Sequence, residues 1–484
     1  MNEAGRLGRN FSAIAIAQLI GQVLTFIVSV FLARTLGVEL YGIFVFGFAF
    51  PNLFLLVVSL GLDSVLTIDV AADRTRGGSY LTVIATLRIA LLLLAMGVLW
   101  VSVELVLTDP FAKTVTLILG VASLIGTYAG TFDAMFRAYE RLEYSAIVTI
   151  IERATTTAAI LVLIVFGFGL VEISLVFVAG SIISLVLSIL ILRMRIEWFR
   201  RGIRLGLWKR ILRRTIPFAL AAVVSTFMFS IGPVLLTILR DPIQTGQFNA
   251  AFALTLALFA PLNIYNIVFL PAMSRIFKNE PGQLSAILRK SQKLFFILGL
   301  PIAVGGWFFA TDLVTLIYGG EFFASASSLR ILLFVLAVAT AQLGTGTALA
   351  VSGHQPLNLV NGAMGTATIV GLSFLLIPQW GHVGASFAFT AANVVMAIFG
   401  MAAVHLLVAR LNIVETLPRP IIAGLVMMLT LVLLPELPLW WGVPVGGAVY
   451  FLVLFAVRGV TREDLSLVRE ALRGVFRRRR RGEF

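Results

Sequence analysis

Two arginines lie deep inside long apolar stretches of this chain and could bind an anionic solute. Arg88 and Arg153 each follow about eight residues of an apolar segment, which places them roughly 12 Å along a helix of 1.5 Å rise per residue. A guanidinium group donates paired hydrogen bonds to phosphate or carboxylate oxygens. Acids lie at similar depth, at Asp63, Asp133 and Glu152. Each arginine therefore either pairs within the protein, Arg88 with Asp63 or Asp133, or faces a ligand.

Amide side chains supply a second kind of chemistry. Gln18 and Gln22 are four residues apart and share one face of the first apolar segment if it is helical. Amides exchange donor and acceptor hydrogen bonds with hydroxyl groups such as those of sugars, but they also join helices within a membrane. We expect helix packing for most amides in the second half of the chain, namely Asn249, Asn263, Asn266, Gln342, Asn358, Asn361 and Asn393.

Groups for covalent or metal chemistry are missing from the sequence. There is no cysteine, which excludes disulfides and thiolate metal sites, and the three histidines lie far apart at His354, His382 and His405. No GxxxxGK[ST] loop for a nucleotide phosphate occurs. We predict no catalytic residues, no metal site and no cofactor, and therefore a protein that is not an enzyme.

Composition predicts that lipid surrounds the helices that carry these side chains. Hydrophobic residues make up 60% of 484 and charged residues 12%, about half the charged share of a soluble domain. A spanning helix needs roughly 20 apolar residues, and the hydropathy pattern predicts an all-α integral membrane protein with about fourteen spans, twelve being the alternative. The predicted spans are 10–35, 40–66, 80–107, 113–138, 145–168, 171–193, 214–239, 245–274, 293–318, 328–352, 355–378, 381–409, 418–434 and 439–457.

The basic residues predict the orientation. With the N-terminus inside, the outer connections hold only 4 of the 37 Lys and Arg residues, namely Arg34, Lys113, Arg240 and Arg330. Lys and Arg accumulate on the cytoplasmic side of membrane proteins, so we expect a multi-pass protein of the cell membrane (the inner or plasma membrane) with both termini cytoplasmic. The net charge of +14 is then a topology signal, and no nucleic acid partner is predicted.

A basic amphipathic link at 194–213 divides the chain. Phe199, Ile203, Leu207 and Ile211 recur every four residues among arginines, a pattern typical of a helix on the membrane surface. We predict an N-terminal six-helix lobe at 1–193, a second six-helix lobe at 214–409 and two additional transmembrane helices at 410–458. A basic amphipathic cytoplasmic tail at 459–484 follows, and its charges attract anionic membrane lipids.

The two halves share a short motif. Tyr41-Gly42-Ile43-Phe44 follows Arg34 at the end of the first span, and Thr245-Gly246-Gln247-Phe248 follows Arg240 at the end of the seventh. Six spans separate the copies, so they form a parallel repeat about an axis along the membrane normal. Two pseudo-symmetric bundles around a central cavity are the architecture of alternating access. Arg34 and Arg240 would then be interfacial anchors or phosphate contacts on the release side.

The N-terminal motifs resemble those of a known transporter family. Phe31-Leu32-Ala33-Arg34-Thr35-Leu36-Gly37, Tyr41-Gly42-x-Phe44, Gly61-Leu62-Asp63 and Leu66-Thr67-Ile68-Asp69-Val70-Ala71 are similar to those of the Wzx-type oligosaccharide flippases. These belong to the multidrug/oligosaccharidyl-lipid/polysaccharide (MOP) superfamily. The chain departs from the family at Ile68, where an arginine is common. The resemblance implies a MATE-like fold.

The resemblance also implies a function in cell-surface polysaccharide assembly. The expected substrate is a polyprenyl-diphosphate-linked oligosaccharide that moves from the cytoplasmic to the outer leaflet, with a polysaccharide polymerase as a further candidate partner. Arg88 and Arg153 would serve the diphosphate. A drug/cation antiporter and a lipid II flippase of the same superfamily are the alternatives, although the first span lacks the acid that antiporters need. Outside transport, the alternative is an integral glycan polymerase or ligase, for which the outer connections are short.

Overall fold

The computed structural model describes residues 3–196, 205–259, 284–342, 344–409 and 417–459, and these ranges are almost entirely helical. They form two compact units, Met1–Asn249 and Ala250–Phe484. The first unit contains α1 Glu3–Ser59, α2 Leu62–Ala72, α3 Gly77–Val106, α4 Pro110–Ala138, α5 Leu142–Val165, α6 Leu170–Arg195 and α7 Leu205–Leu239. Helix α8 covers 242–259. The remaining helices are α9 Leu284–Phe308, α10 Ala310–Tyr318, α11 Ser325–Gln342, α12 Thr345–Val351, α13 Gln355–Leu407, α14 Pro418–Leu433 and α15 Leu439–Ala456.

The predicted fold class is confirmed, with two pairs of spans joined end to end. Within the described residues, nine helical segments are long and apolar enough to cross a membrane, and two of them run for 52 and 53 residues, more than twice the length a span needs. Both bend at a glycine with positive φ, Gly37 at 78° in α1 and Gly381 at 53° in α13. Each therefore holds two predicted spans. Two shorter apolar helices, Ser325–Ala339 and Pro418–Leu433, match two more, and the span predicted at 245–274 begins in α8.

Several helices begin earlier than the hydropathy predicts. Helix α7 starts at Leu205 and α9 at Leu284, where the predicted spans start at 214 and 293. The added turns are rich in basic residues, and such turns lengthen a helix beyond the hydrocarbon without raising its hydropathy. Hydropathy thus located the apolar part of each helix and missed its polar extension.

Local sequence explains where helices begin. Asp109 precedes α4, and its carboxylate accepts hydrogen bonds from the backbone N–H groups of Phe111 at 3.1 Å and Ala112 at 3.0 Å. Pro110 occupies the first helical position, where its missing N–H costs nothing. Side-chain capping of this kind satisfies donors that have no partner within the helix.

The core of the first unit lies where α2, α3 and α4 meet. Leu62, Leu66, Leu81, Ile84 and Phe132 are all at most 1% exposed there. The helical conformation is interrupted between α1 and α2 at Leu60 and Gly61, whose φ angles are 35° and 70°. This break turns α2 inward, so that it packs against α4 and α7.

The second unit is built on α9, α11 and α13, and α11 packs against both of the others. Helices α14 and α15 form a hairpin that packs on α9 around Ile297, Phe309, Met427 and Tyr450. The division of the chain into two six-helix lobes, separated by a link at 194–213 and followed by two additional helices at 410–458, stays a prediction. Residues 197–204, 410–416 and the tail from 460 lie outside the described residues, as does the side chain of Leu207.

Candidate functional site

Arg88 is fully buried in the first unit and forms an ion pair with one of the two predicted acids. Its Nη1 lies 2.9 Å from Asp63 Oδ1 and donates to the Thr131 hydroxyl at 2.7 Å and to the Thr127 carbonyl at 3.0 Å. Arg88 is 0% exposed, whereas the Asp63 side chain is 31% exposed. In this conformation Asp63 is thus the accessible member of the pair. That Arg88 or Asp63 binds a substrate stays a prediction.

Asp133, the other candidate partner of Arg88, is bound by its own neighbours. Arg137 donates to Asp133 Oδ2 one turn away on α4, and the Ser145 hydroxyl donates to Oδ1. The structure therefore does not bring Arg88 and Asp133 together. Asp133, Arg137 and Ser145 all lie near the turn between α4 and α5, so their hydrogen bonds stabilise that end of the two helices.

Arg153 is exposed, unlike Arg88, and it lies against the first helix. Its Nη1 donates to Thr25 Oγ1 at 3.1 Å, which joins α5 to α1. Gln22 is exposed three residues before Thr25, and Glu152 is half-buried beside Arg153. A charged side chain in contact with hydrocarbon costs about 2.5–3.5 kcal/mol, so we infer that this α1–α5 polar face lines water. The Gln18 side chain, predicted on the same face, lies outside the described residues.

The two repeat motifs contact each other, which the sequence analysis did not predict. A Cβ atom placed on Gly42 would lie 1.8 Å from the carbonyl oxygen of Pro242, and one placed on Gly246 would lie 2.1 Å from that of Val38. Only glycine permits such approaches at both positions. We call this contact the glycine crossing. It is formed by helices α1 and α8 within the first unit, at the end predicted to be outside.

A hydrogen-bonded triad centred on the buried Tyr41 adjoins the glycine crossing. The Tyr41 hydroxyl lies 2.6 Å from the Ser29 hydroxyl and accepts from Asn249 Nδ2 at 2.7 Å, and Tyr41 is 1% exposed. Arg34 and Arg240, the predicted outer cations, are both exposed and both have interaction partners. Whether they contact a substrate stays a prediction.

Ion pairs concentrate at the end predicted to be cytoplasmic. Asp69 on α2 accepts from Arg214 on α7 at 2.8 Å, and its side chain is only 9% exposed. In the turn after α2, the Thr75 hydroxyl donates to Asp73 at 2.6 Å and lowers the pKa of that carboxylate. Further pairs are Arg74–Glu140, Arg76–Asp73 and Arg141–Glu143. The Asp69–Arg214 pair joins residues 145 positions apart, so no local pattern indicated it.

Among the described amides of the second half, Asn358 joins two helices, as Asn249 does in the Tyr41 triad. Asn358 Nδ2 donates to the Gly346 carbonyl at 2.9 Å, which joins α13 to α12, and Asn393 Nδ2 donates to the Phe389 carbonyl one turn earlier. Asn361 is 6% exposed. Asn263 and Asn266 lie outside the described residues. The Asn358 contact agrees with the expected helix packing, whereas the Asn393 bond lies within α13.

Comparison with known proteins identifies the family. Residues 7–277 match the family described as polysaccharide biosynthesis protein, which is more than half of the chain. The chain belongs to this polysaccharide biosynthesis family. A curated relative, the capsular polysaccharide biosynthesis protein CapF of Staphylococcus aureus, is 27% identical over 194 residues. That match covers 40% of this chain and 48% of CapF, so the chain spans about half the length of this relative.

Solved structures of the MOP superfamily share the fold of this family member. The lipid II flippase MurJ, in an inward closed conformation, has a TM-score of 0.76 at 14% identity, with 94% of this chain and 99% of that chain covered. An inward-facing multidrug resistance MATE transporter has a TM-score of 0.62 at 16% identity, with 80% and 96% covered. A MOP superfamily transporter from Pyrococcus furiosus has 0.59 at 15% identity, with 83% and 96% covered.

These findings confirm the predicted membership in a polysaccharide biosynthesis family and the predicted fold class, which is that of multi-pass membrane transporters. The structures that share the fold are of a flippase and of transporters, and the family is described as polysaccharide biosynthesis protein, in agreement with the expectation that the protein is not an enzyme. Its involvement in polysaccharide biosynthesis follows from the family. The substrate, the direction of movement and the residues that bind the substrate are the subject of the proposal below.

Proposed function

We propose that the protein is a flippase that moves a polyprenyl-diphosphate-linked oligosaccharide from the cytoplasmic to the outer leaflet of the cell membrane. The observation that carries the proposal is the α1–α5 polar face in a member of the polysaccharide biosynthesis family. On this face the exposed Arg153 guanidinium donates to Thr25, and Gln22 is exposed three residues before Thr25. A solute with both an anionic and a hydroxyl-rich part fits this combination.

Each part of such a substrate has a matching group. Diphosphate oxygens accept charge-assisted hydrogen bonds from Arg153, which are about twice as strong as neutral ones. Sugar hydroxyls exchange hydrogen bonds with the Gln22 amide. The isoprenoid tail is apolar and remains in lipid. Arg88 has its charge balanced by Asp63, so its contribution would be to support the helices that carry the site.

Alternating access is the mechanism we propose. The glycine crossing and the Tyr41 triad hold α1 against α8, and we infer that they part when the substrate leaves. The bias of Lys and Arg toward alternate connections supports cytoplasmic termini in the inner or plasma membrane. Membrane lipids, and a polysaccharide polymerase that consumes the translocated glycan, are the partners this function requires.

Two other substrates remain within the same fold. A lipid II flippase is favoured by the similarity to MurJ over 94% of this chain. A drug/cation antiporter is favoured by the MATE structures, but α1 has no acid between residues 10 and 38 to hold a coupling cation.

A complementation experiment tests the proposal. The gene is deleted, and plasmids carrying wild type, Arg153→Lys, Arg153→Ala or the exposed control Arg195→Ala are introduced. We expect surface polysaccharide to be restored by wild type and Arg195→Ala, restored in part by Arg153→Lys and not restored by Arg153→Ala at equal protein levels. Full restoration by Arg153→Ala would refute the role of Arg153, and loss of peptidoglycan in place of surface polysaccharide would indicate lipid II as the substrate.

A further inference from the structure

A groove separate from the α1–α5 polar face runs along the first turns of α7. Its volume is about 570 Å³, within the roughly 300–1,000 Å³ typical of small-ligand pockets. Arg213 is its charged member, and the remaining wall is mainly apolar, formed by Leu60, Trp208, Leu212, Ile216 and Ala219 together with the hydroxyl residue Thr215. An apolar wall with a single cation is suited to an amphipathic anion.

The positions of these residues give the groove a polar end and an apolar end. Trp208, Leu212 and Ile216 are four residues apart, so they share one face of α7. From Trp208 to Ala219 this face is about 16 Å long at 1.5 Å per residue. Tryptophan and basic residues mark the membrane interface, whereas Ile216 and Ala219 enter the apolar part of the helix. A ligand in the groove would thus lie from the interface into the hydrocarbon.

The sequence that leads into the groove is basic, which favours an anion. Between residues 193 and 214 the sequence holds nine Lys or Arg residues and one acid, Glu197. Arg214 is neutralised by Asp69 at 2.8 Å. Its neighbour Arg213 is exposed and has no carboxylate partner among the described residues. The charge of Arg213 is therefore available to a headgroup.

We propose that this groove is a binding site for an anionic phospholipid, which is distinct from the transported substrate. One acyl chain would lie along Leu212, Ile216 and Ala219, and the headgroup phosphate would bind Arg213. The lipid would lie against the break between α1 and α2, because Leu60 lines the groove. At this break a Cβ atom on Gly61 would lie 2.3 Å from Phe218 Cβ, so α7 packs closely against the break.

Native mass spectrometry of the purified full chain tests the site with phosphatidylglycerol as the probe. The variants are Arg213→Ala, which removes the charge, and Ala219→Phe, which fills the apolar end. Arg195→Ala removes an equal charge at an exposed position at the end of α6, and Leu220→Phe adds the same ring at a neighbouring exposed position outside the groove. Each variant is compared at equal monodispersity.

We expect wild type and both controls to retain one phosphatidylglycerol, in preference to phosphatidylcholine with the same acyl chains. Arg213→Ala should bind about fivefold more weakly, the effect of one basic residue near an anionic headgroup, and Ala219→Phe should lose the bound lipid. If Arg195→Ala weakened binding equally, the overall positive charge of the region and not the groove would explain the binding, which would overturn the proposal. Equal retention of phosphatidylcholine, or displacement by a polyprenyl phosphate at equal concentration, would also overturn it.

Discussion

The glycine crossing should control how readily the predicted outer end opens. Ordinary contact of a Cβ atom begins near 3.4 Å, whereas the added methyl of Gly42→Ala would lie 1.8 Å from the Pro242 carbonyl oxygen. The helices must therefore separate by the difference, 1.6 Å. Overpacking of this kind costs typically 1–3 kcal/mol. If the contact exists only in the conformation in which α1 and α8 meet, this cost changes the equilibrium between the two conformations. The ratio of separated to closed molecules then rises about 5- to 150-fold.

Cysteine accessibility measures that shift directly, because the chain has no native cysteine. A single cysteine that replaces Ser29, a partly buried member of the Tyr41 triad, is modified with a membrane-impermeant maleimide in intact cells. We expect faster modification in the Gly42→Ala and Gly246→Ala backgrounds. Gly97→Ala on α3 is the matched control, since no atom lies within 4 Å of its Cβ position. An unchanged rate in both variants, or an equal increase in Gly97→Ala, would refute the reasoning.

Two further predictions concern stability and are measured by thermal unfolding in detergent. Asp63→Asn should destabilise the protein by about 3–5 kcal/mol because it leaves the buried Arg88 charge uncompensated. The double variant Asp63→Asn/Arg88→Met should recover most of this loss. Equal unfolding temperatures for the single and the double variant would contradict the prediction. Asp109→Ala should cost about 1 kcal/mol through loss of the α4 cap, and Asp109→Asn should cost less; no difference between these two variants would show that the cap contributes nothing.

Composition and hydropathy predict most of the fold because spanning helices need long apolar segments. The sequence could not indicate that the spans on either side of Gly37 and Gly381 form continuous helices. Both glycines have positive φ, and a bend within one helix and a short turn between two helices give the same hydropathy pattern. The early start of α7 was missed for a related reason, since its first turns are basic.

The candidate site was predictable in its residue types but not in its pairing. Depth along the spans indicated Arg88 and Arg153 equally, yet the structure buries the first beside Asp63 and exposes the second beside Thr25. The difference depends on which helix faces each arginine, and that is a property of tertiary packing. The Gly42 and Gly246 motifs were recognised as repeats, and a glycine in both copies was the available signal for close approach.

Reconstitution tests the proposed function most directly. Purified protein is placed in liposomes that contain a polyprenyl-diphosphate-linked oligosaccharide with a radiolabelled glycan, and an impermeant glycosidase measures the fraction of glycan in the outer leaflet over time. The account predicts that wild type moves the lipid across the bilayer and that Arg153→Ala does so much more slowly, with Arg195→Ala equal to wild type. A wild-type rate no higher than that of protein-free liposomes, with several glycans and an imposed ion gradient, would contradict it.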